Sequence, residues 1–223
     1  MAPETWAIVV AGGDGRRFGA PKQFALLGGR TVLEWSVSAA RTVASGVVVV
    51  VPRASLDDPR AALEADVVVA GGATRAGSVR AGLAVVPDHA EVVLVHDAAR
   101  PLASPALFSA VVQAVGNGAS GAIPGISVSD TVKRVAGGSV VETLDRDGLV
   151  AVQTPQAFRA SVLRAAHRGE PEATDDAALL ELIGATVAVV TGEETNVKLT
   201  RPADLALLES YLSGVDRPVG PRP

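Results

Sequence analysis

The residues most able to do chemistry gather first between Ala11 and Lys22, where Gly12, Gly13, Gly15 and Gly19 surround Arg17 and Lys22. Glycines let backbone N–H groups come close to an anion. Two cations beside such a nest of amides suit a triphosphate undergoing phosphoryl-group transfer. Two familiar phosphate loops fail on spacing. Gly13, Gly15 and Gly19 read G-x-G-x-x-x-G, one residue too long for the dinucleotide fingerprint. Lys22 stands between Pro21 and Gln23 rather than in the Gly-Lys-Ser/Thr of a P-loop. Taken alone, the same loop could be a surface turn with solvated charges.

Other side chains bear on the choice. Of 20 basic residues only Lys22, Lys133 and Lys198 are lysines. In a chain that otherwise uses arginine, a lysine can mark a place where a compact ammonium fits and a guanidinium fork does not. Lys133, next to Arg134, reads as solvated or interfacial. Asp97 follows an apolar run and either caps the next turn or faces a ligand. His96 reads as a packing or hydrogen-bonding residue, not a base. Asp175 and Asp176 look like paired metal carboxylates, but a helix N-terminus also favours acids. The helix role is favoured for Asp176, and Asp175 is left open.

The elements that must position these groups alternate. Val-rich runs at Trp6–Ala11, Gly46–Val51, Asp66–Ala70, Glu91–Val95, Ala119–Pro124 and Thr186–Thr191 are continuous rather than alternating. That pattern predicts strands buried on both faces of a sheet. Helical segments lie between them. Thr31 and Glu34 have capping-box spacing ahead of a segment running to about Ala44, and Ser104-Pro105 opens another through about Val115. Arg75–Val86, Thr174–Ile183 and Pro202 to about Leu212 also read as helices. The fold class is therefore α/β: a Rossmann-like doubly wound, mostly parallel sheet. From about 127 to 152 the pattern is turn-rich and strand-like, which predicts an inserted β-hairpin arm. An isolated hairpin is marginal in water, so the arm is expected to pack on a second subunit. Residues 1–214 are expected to form one domain, with 215–223 a disordered tail.

Bulk composition removes several function classes. Charged residues make up 20% and hydrophobic ones 48%, which is globular rather than disordered. A net charge of −4 with aromatics at 3% argues against a nucleic-acid partner. There is no cysteine, hence no thiolate nucleophile or disulfide framework. Apolar runs fall far short of the ~20 residues of a membrane helix, and no signal-like stretch opens the chain, so the expected location is the cytoplasm.

The ordered motifs carry more than the composition does. The run Ala11-Gly12-Gly13-Asp14-Gly15-Arg16-Arg17-Phe18 is followed by Pro21-Lys22-Gln23, by Gly71-Gly72 with Arg75 and Ser78-Val79, and by His96-Asp97-Ala98-Ala99-Arg100-Pro101. Further on come Asp130-Thr131-Val132-Lys133-Arg134, Asp145-Arg146, Gln153-Thr154-Pro155-Gln156, Thr174-Asp175-Asp176 and Asn196-Val197-Lys198-Leu199-Thr200. Together they resemble the cytidylyltransferases acting on 2-C-methyl-D-erythritol 4-phosphate, and the resemblance spans about Ala7 to Tyr211.

The resemblance implies transfer of CMP from CTP to that polyol phosphate with release of pyrophosphate, in non-mevalonate isoprenoid precursor synthesis. By the same resemblance, Ala11, Gly12, Gly13 and Gly15 wrap the CTP phosphates and ribose, while Gly72, Ala73 and Ser78 enclose the cytosine. Arg17, Lys22 and Lys198 neutralise charge at the reacting phosphates. Asp97 and Ala98 lie at the ribose and the metal-bearing phosphates, with Asp97 the candidate ligand of Mg2+. Arg100 and Thr174 face the sugar phosphate. Thr131 and Arg146, on the arm, reach the partner's site in a homodimer. The chain departs from the pattern in carrying Gly12 where Ala is common and Phe18 where Met is common. Ala73 and Gly77 stand where some members carry acids. Three alternatives remain at this point: a cytidylyltransferase for another polyol phosphate such as ribitol 5-phosphate, a guanylyl- or uridylyltransferase, and a nucleotide-binding regulator without catalysis.

Overall fold

A computed structural model of the chain describes residues 3–13 and 18–214. Its first half is β1 (Thr5–Val10), a two-strand ribbon of β2 (Leu26–Leu27) and β3 (Arg30–Thr31), α1 (Val32–Arg41) and β4 (Gly46–Val51). β5 (Val67–Ala70), α2 (Arg75–Leu83), β6 (Val92–Asp97), α3 (Pro105–Gly116) and β7 (Gly121–Ser127) follow. The second half holds β8 (Lys133–Ala136), β9 (Ser139–Thr143), β10 (Val150–Val152), β11 (Gln156–Arg159) and α4 (Ala160–Ala166). It ends with α5 (Asp176–Leu182), β12 (Val187–Thr191) and α6 (Pro202–Gly214).

The sheet is mostly parallel, as expected. β1 pairs in parallel with β4 and β6, β4 with β5, and β12 with β7. β11 runs antiparallel to both β6 and β7, and β10 runs antiparallel to β7. The valine runs explain themselves here. Along β1, β4 and β6, residues such as Ala7, Val9, Val49 and Leu94 enter one core with α1 and α3. Their neighbours Ile8, Val48, Val50, Val93 and Val95 enter a second core with α2, α4 and α5. Both faces are covered, so no polar residue is needed at alternate positions.

Capping follows the sequence where side chains do it. Thr31 Oγ1 accepts from Glu34 N at 3.1 Å while Glu34 Oε2 accepts from Thr31 N at 2.6 Å, a complete capping box at α1. Ser104 Oγ accepts from Leu107 N at 3.1 Å ahead of Pro105. Helix α1 stops at Arg41, short of Ala44, and α2 stops at Leu83, short of Val86.

Two corrections concern the segment after β7. The hairpin consists only of β8 and β9, joined through Gly137 and Gly138 at φ +55° and +79°. Two consecutive positive φ values are what a tight hairpin turn requires, and glycine supplies them without strain. β10, expected at the end of the arm, belongs to the main sheet instead. β11 and α4 were not foreseen. The tail 215–223 lies outside the described residues, and among those described no helix is long and apolar enough to cross a membrane.

Candidate active site

A cleft of about 370 Å³ opens over the carboxyl ends of β1, β5 and β6. This is where an α/β sheet of this kind receives ligands. Of the residues singled out from sequence, Ala11, Gly12, Gly13, Lys22, Gly72, Ala73, Ser78, Asp97, Ala98 and Lys198 line it. Gly15 and Arg17 lie outside the described residues. Arg100, Thr131, Arg146 and Thr174 are not among the lining residues.

The wall of the cleft at Gly71 and Gly72 depends on small residues packed closely on the start of α2. A Cβ on Gly72 would stand 2.8 Å from the Gly77 carbonyl carbon, and one on Gly71 would stand 2.8 Å from Ser78 Oγ. The chain leaving β5 therefore folds directly onto the first turn of α2. Thr74 caps that turn by accepting from Gly77 N at 2.9 Å, and Ser78 donates its hydroxyl to the Thr74 carbonyl at 2.9 Å.

Charge converges on Asp97. Lys198 Nζ donates to its Oδ2 at 2.5 Å, and Arg75 Nε reaches its Oδ1 at 3.4 Å. Burial works to raise the Asp97 pKa, but the positive charges of Lys198 and Arg75 outweigh it and bring the carboxyl to about 2. Asp97 is thus an anion at any working pH. Lys22, in a 3-10 turn at Lys22–Phe24, donates to the Leu199 carbonyl at 2.9 Å, which ties the first loop to the segment carrying Lys198.

The loop that delivers Lys198 is fixed by buried amides. Asn196, with no exposed surface, donates from Nδ2 to Gln153 Oε1 at 3.2 Å and to the Thr154 carbonyl at 2.9 Å. Gln153 also donates to the Glu193 carbonyl at 2.8 Å and accepts from Glu193 N at 3.1 Å. Arg100, which the resemblance sets toward the sugar phosphate, donates to the Asn196 carbonyl at 2.7 Å and toward the Val152 carbonyl at 3.4 Å. It joins the Lys198 loop to the strand that returns from the arm.

His96 lies behind Asp97 and is fully buried. The Arg100 carbonyl, 3.2 Å from Nε2, can only accept, so Nε2 carries the proton. Nδ1 then accepts from the Thr154 hydroxyl at 3.1 Å, and Thr154 Oγ1 accepts from Asp97 N at 3.0 Å. Burial lowers the imidazole to about 4, so it stays neutral and cannot add charge to the site. Its packing role agrees with the sequence reading.

Arg75, quoted in a motif but given no role, is the residue sequence reasoning missed. It lines the cleft and bridges Asp97 to Asp176, whose Oδ2 accepts from Arg75 Nη1 at 2.7 Å. The reading of the two acids also changes. Asp175 is the N-cap of α5, accepting from Ala178 N at 3.0 Å. Asp176 sits in the first helical turn, but its carboxylate is fully buried and committed to Arg75 and His167. Thr174 is exposed just before them. On the arm Thr131 and Arg146 are exposed, and Arg146 Nη1 donates to the Ser129 carbonyl. Among the described residues no three His, Cys, Asp or Glu side chains group to hold a metal ion.

A doubly wound sheet whose strand ends present glycine loops, two lysines and an ionised aspartate to one cleft defines an α/β nucleotidyltransferase. The chain belongs to the 2-C-methyl-D-erythritol 4-phosphate cytidylyltransferase family, whose model matches residues 5–214. It is 47% identical over 222 residues to the protein of that name from Frankia casuarinae, covering 96% of this chain and 84% of that one. It is 45% identical to the bifunctional enzyme IspD/IspF of Nitratidesulfovibrio vulgaris over 92% of its own length, but spans only 58% of that protein. The crystal structure of 2-C-methyl-D-erythritol 4-phosphate cytidylyltransferase from Thermus thermophilus superposes with a TM-score of 0.79 at 37% identity, covering 92% of this chain and 98% of that one.

Proposed function

We propose that this cleft transfers CMP from CTP to 2-C-methyl-D-erythritol 4-phosphate, releasing pyrophosphate, as a step of isoprenoid precursor synthesis. One observation carries the assignment of roles: Lys22, Lys198 and Asp97 share a cleft walled by glycine backbone. In the reaction an oxygen of the acceptor's phosphate attacks the α-phosphorus of CTP. A new P–O bond forms and the bond to the pyrophosphate oxygen breaks. The attacking oxygen is already anionic, so no strong base is needed, and neutral His96 is in any case occupied on both nitrogens. The obstacle is repulsion between two phosphates, which Lys22, Lys198 and Arg17 would offset by fixed positive charge.

Ala11, Gly12, Gly13 and Gly15 would take the phosphates and ribose, and Gly72, Ala73 and Ser78 the cytosine. A divalent cation fits one ionised carboxylate, since Mg2+ keeps most of its waters and shares phosphate oxygens. Asp97 would hold it, and the ion would supply further charge neutralisation at the triphosphate. Arg100, Thr174 and the arm residues Thr131 and Arg146 are proposed for the polyol phosphate, the last two across a homodimer. Exposed valines on the arm, Val135 at 57% and Val140 at 61%, support that assembly because they await burial. The cytoplasm, where CTP is held, is the proposed place of action.

The test is pyrophosphate release with Mg2+, pairing each of the four nucleoside triphosphates with 2-C-methyl-D-erythritol 4-phosphate and with ribitol 5-phosphate. Release is expected only with CTP and the erythritol. Release with ribitol 5-phosphate instead would replace the acceptor, and CTP binding without release in any pair would overturn catalysis.

A further inference from the structure

The cleft wall at Gly72 and Ala73 is secured from outside the cleft. Both residues line it, and among the described residues their backbone N–H and C=O groups make no hydrogen bond. Such groups can read a polar base, but only as precisely as the two ends of their segment are held. One end is tied to the sheet, where Gly71 N donates to the Val51 carbonyl at 2.8 Å. The other end is Thr74. Its hydroxyl oxygen accepts from Gly77 N at 2.9 Å, and its single proton goes to Glu172 Oε1, also at 2.9 Å.

Glu172 belongs to the segment between α4 and α5 and does not line the cleft. The same Oε1 accepts from Arg80 Nη2 at 2.9 Å, and Arg80 Nη1 donates to the Pro171 carbonyl at 3.0 Å. One guanidinium on α2 thus grips two consecutive residues of that segment. Gly77 leaves room for the arrangement, since a Cβ there would stand 3.1 Å from Thr74 Oγ1 and 3.6 Å from Arg80 Nη2. The Arg80 and Glu172 side chains are 21% and 51% exposed, so their pairing adds little to stability. What it fixes is the place of Thr74.

We propose that Glu172 is a positioning residue for the nucleotide base: latched to Arg80, it holds Thr74 and so sets the backbone of Gly72 and Ala73 for cytosine. The inference rests on the reading of this wall as the cytosine pocket. Loss of the Glu172 carboxylate leaves Thr74 capping α2 through Gly77 N but releases the far end of the wall. Binding of the phosphates, assigned to the loop after β1 and to the lysines, does not depend on the latch.

Calorimetry with Mg2+ and without acceptor tests this by comparing CTP with inorganic tripolyphosphate, which carries no base. Glu172→Ala is expected to weaken CTP about fivefold, the size of coupling found within one hydrogen-bond network, and to leave tripolyphosphate affinity unchanged. Arg80→Ala with Glu172→Ala is expected to bind CTP no more weakly than Glu172→Ala alone, because both remove one latch. Unchanged CTP affinity in Glu172→Ala, an equal loss for tripolyphosphate, or losses that multiply in the double variant overturns the proposal. Gly72→Ala separates the underlying reading. If it too leaves CTP affinity unchanged, the base lies elsewhere and both fall, whereas a loss there beside an unaffected Glu172→Ala removes this inference only.

Discussion

Lys198 Nζ stands 2.5 Å from Asp97 Oδ2, although the two residues are 101 positions apart in the chain. The contact joins the end of β6 to the loop before α6 and sets opposite charges side by side in the cleft proposed to receive the two phosphates. Lys198→Ala is expected to lower kcat/KM by about 10²–10³, the usual scale for a preorganised group acting on transition-state charge. Lys198→Arg should recover little, because a planar fork does not replace a compact ammonium. Steady-state pyrophosphate release checks both. Activity of Lys198→Ala within a few-fold of the unmodified protein would exclude the role.

The same pair fixes a pH dependence. The Asp97 carboxyl falls to about 2 because Lys198 and Arg75 outweigh the opposing effect of burial, whereas an unfolded aspartate titrates near ~3.9. The folded state therefore binds this proton more weakly than the unfolded state. Its contribution to stability is complete above about pH 4 and is lost as pH falls toward 2. His96 acts in a higher window. Burial lowers it to about 4, so between pH ~6.5 and about 4 the unfolded chain takes up a proton that the folded chain refuses. Stability should decline across that interval on acidification, by up to ~1.4 kcal/mol per pH unit from this residue. Denaturant unfolding from pH 7 to 4 measures it. His96→Gln should flatten the curve, and an equally steep curve would show that another group is responsible.

Much of this was legible in the sequence, for reasons tied to particular residues. The valine runs announced buried strands because both sheet faces are covered, and Thr31, Glu34 and Ser104 announced helix starts because their side chains do the capping. β11 and α4 gave no such signal. The strand has only four residues, and α4 starts at Ala160 with Arg159 as an N-cap whose side chain makes no capping bond. Asp97, Lys22 and Lys198 could be picked out by residue type and motif. Arg75 could not be given a part, since its meaning lies in two carboxylates that come from distant segments. Arg100 shows the converse, a residue that the motif marks for a ligand and whose hydrogen bond to the Asn196 carbonyl no motif announces.

The Lys198 loop should fail when its buried amides do. Asn196→Ala leaves Gln153 Oε1 and the Thr154 carbonyl each without a donor they now have. The expected loss of stability is about 1–3 kcal/mol, the cost of stranding buried polar groups. Since Lys198 lies two residues on, kcat should fall more than CTP affinity does. Denaturant melts and single-turnover rates on one preparation separate the two effects. A stability loss with unchanged kcat would uncouple the loop from catalysis.

Gly72 offers a test of the proposed cytosine pocket that leaves every charge in place. A methyl there would sit 2.8 Å from the Gly77 carbonyl carbon, which is backbone and cannot swing aside as a side chain could. Gly72→Ala must push the first turn of α2 outward, at about 1–3 kcal/mol for overpacking. CTP affinity should fall by about tenfold or more, because ~1.4 kcal/mol is a factor of ten in binding. Calorimetry with CTP measures it, and tight CTP binding in Gly72→Ala would move the base out of this pocket.

The arm gives the last test. Val135 and Val140 are paired across β8 and β9, and both are exposed in a single chain. Two apolar side chains left in water on a two-stranded ribbon are poorly accounted for unless a partner covers them. Val135→Glu with Val140→Glu should turn a dimer into a monomer in sedimentation, and should leave the main sheet intact because the ribbon pairs only with itself. Arg146→Ala addresses the site rather than the assembly. It should raise KM for the polyol phosphate by about tenfold, a loss of ~1.4 kcal/mol, while KM for CTP stays put. If the double variant is monomeric and still turns over at the original rate, the arm contributes no residue to a partner's site, and Thr131 and Arg146 lose their proposed roles.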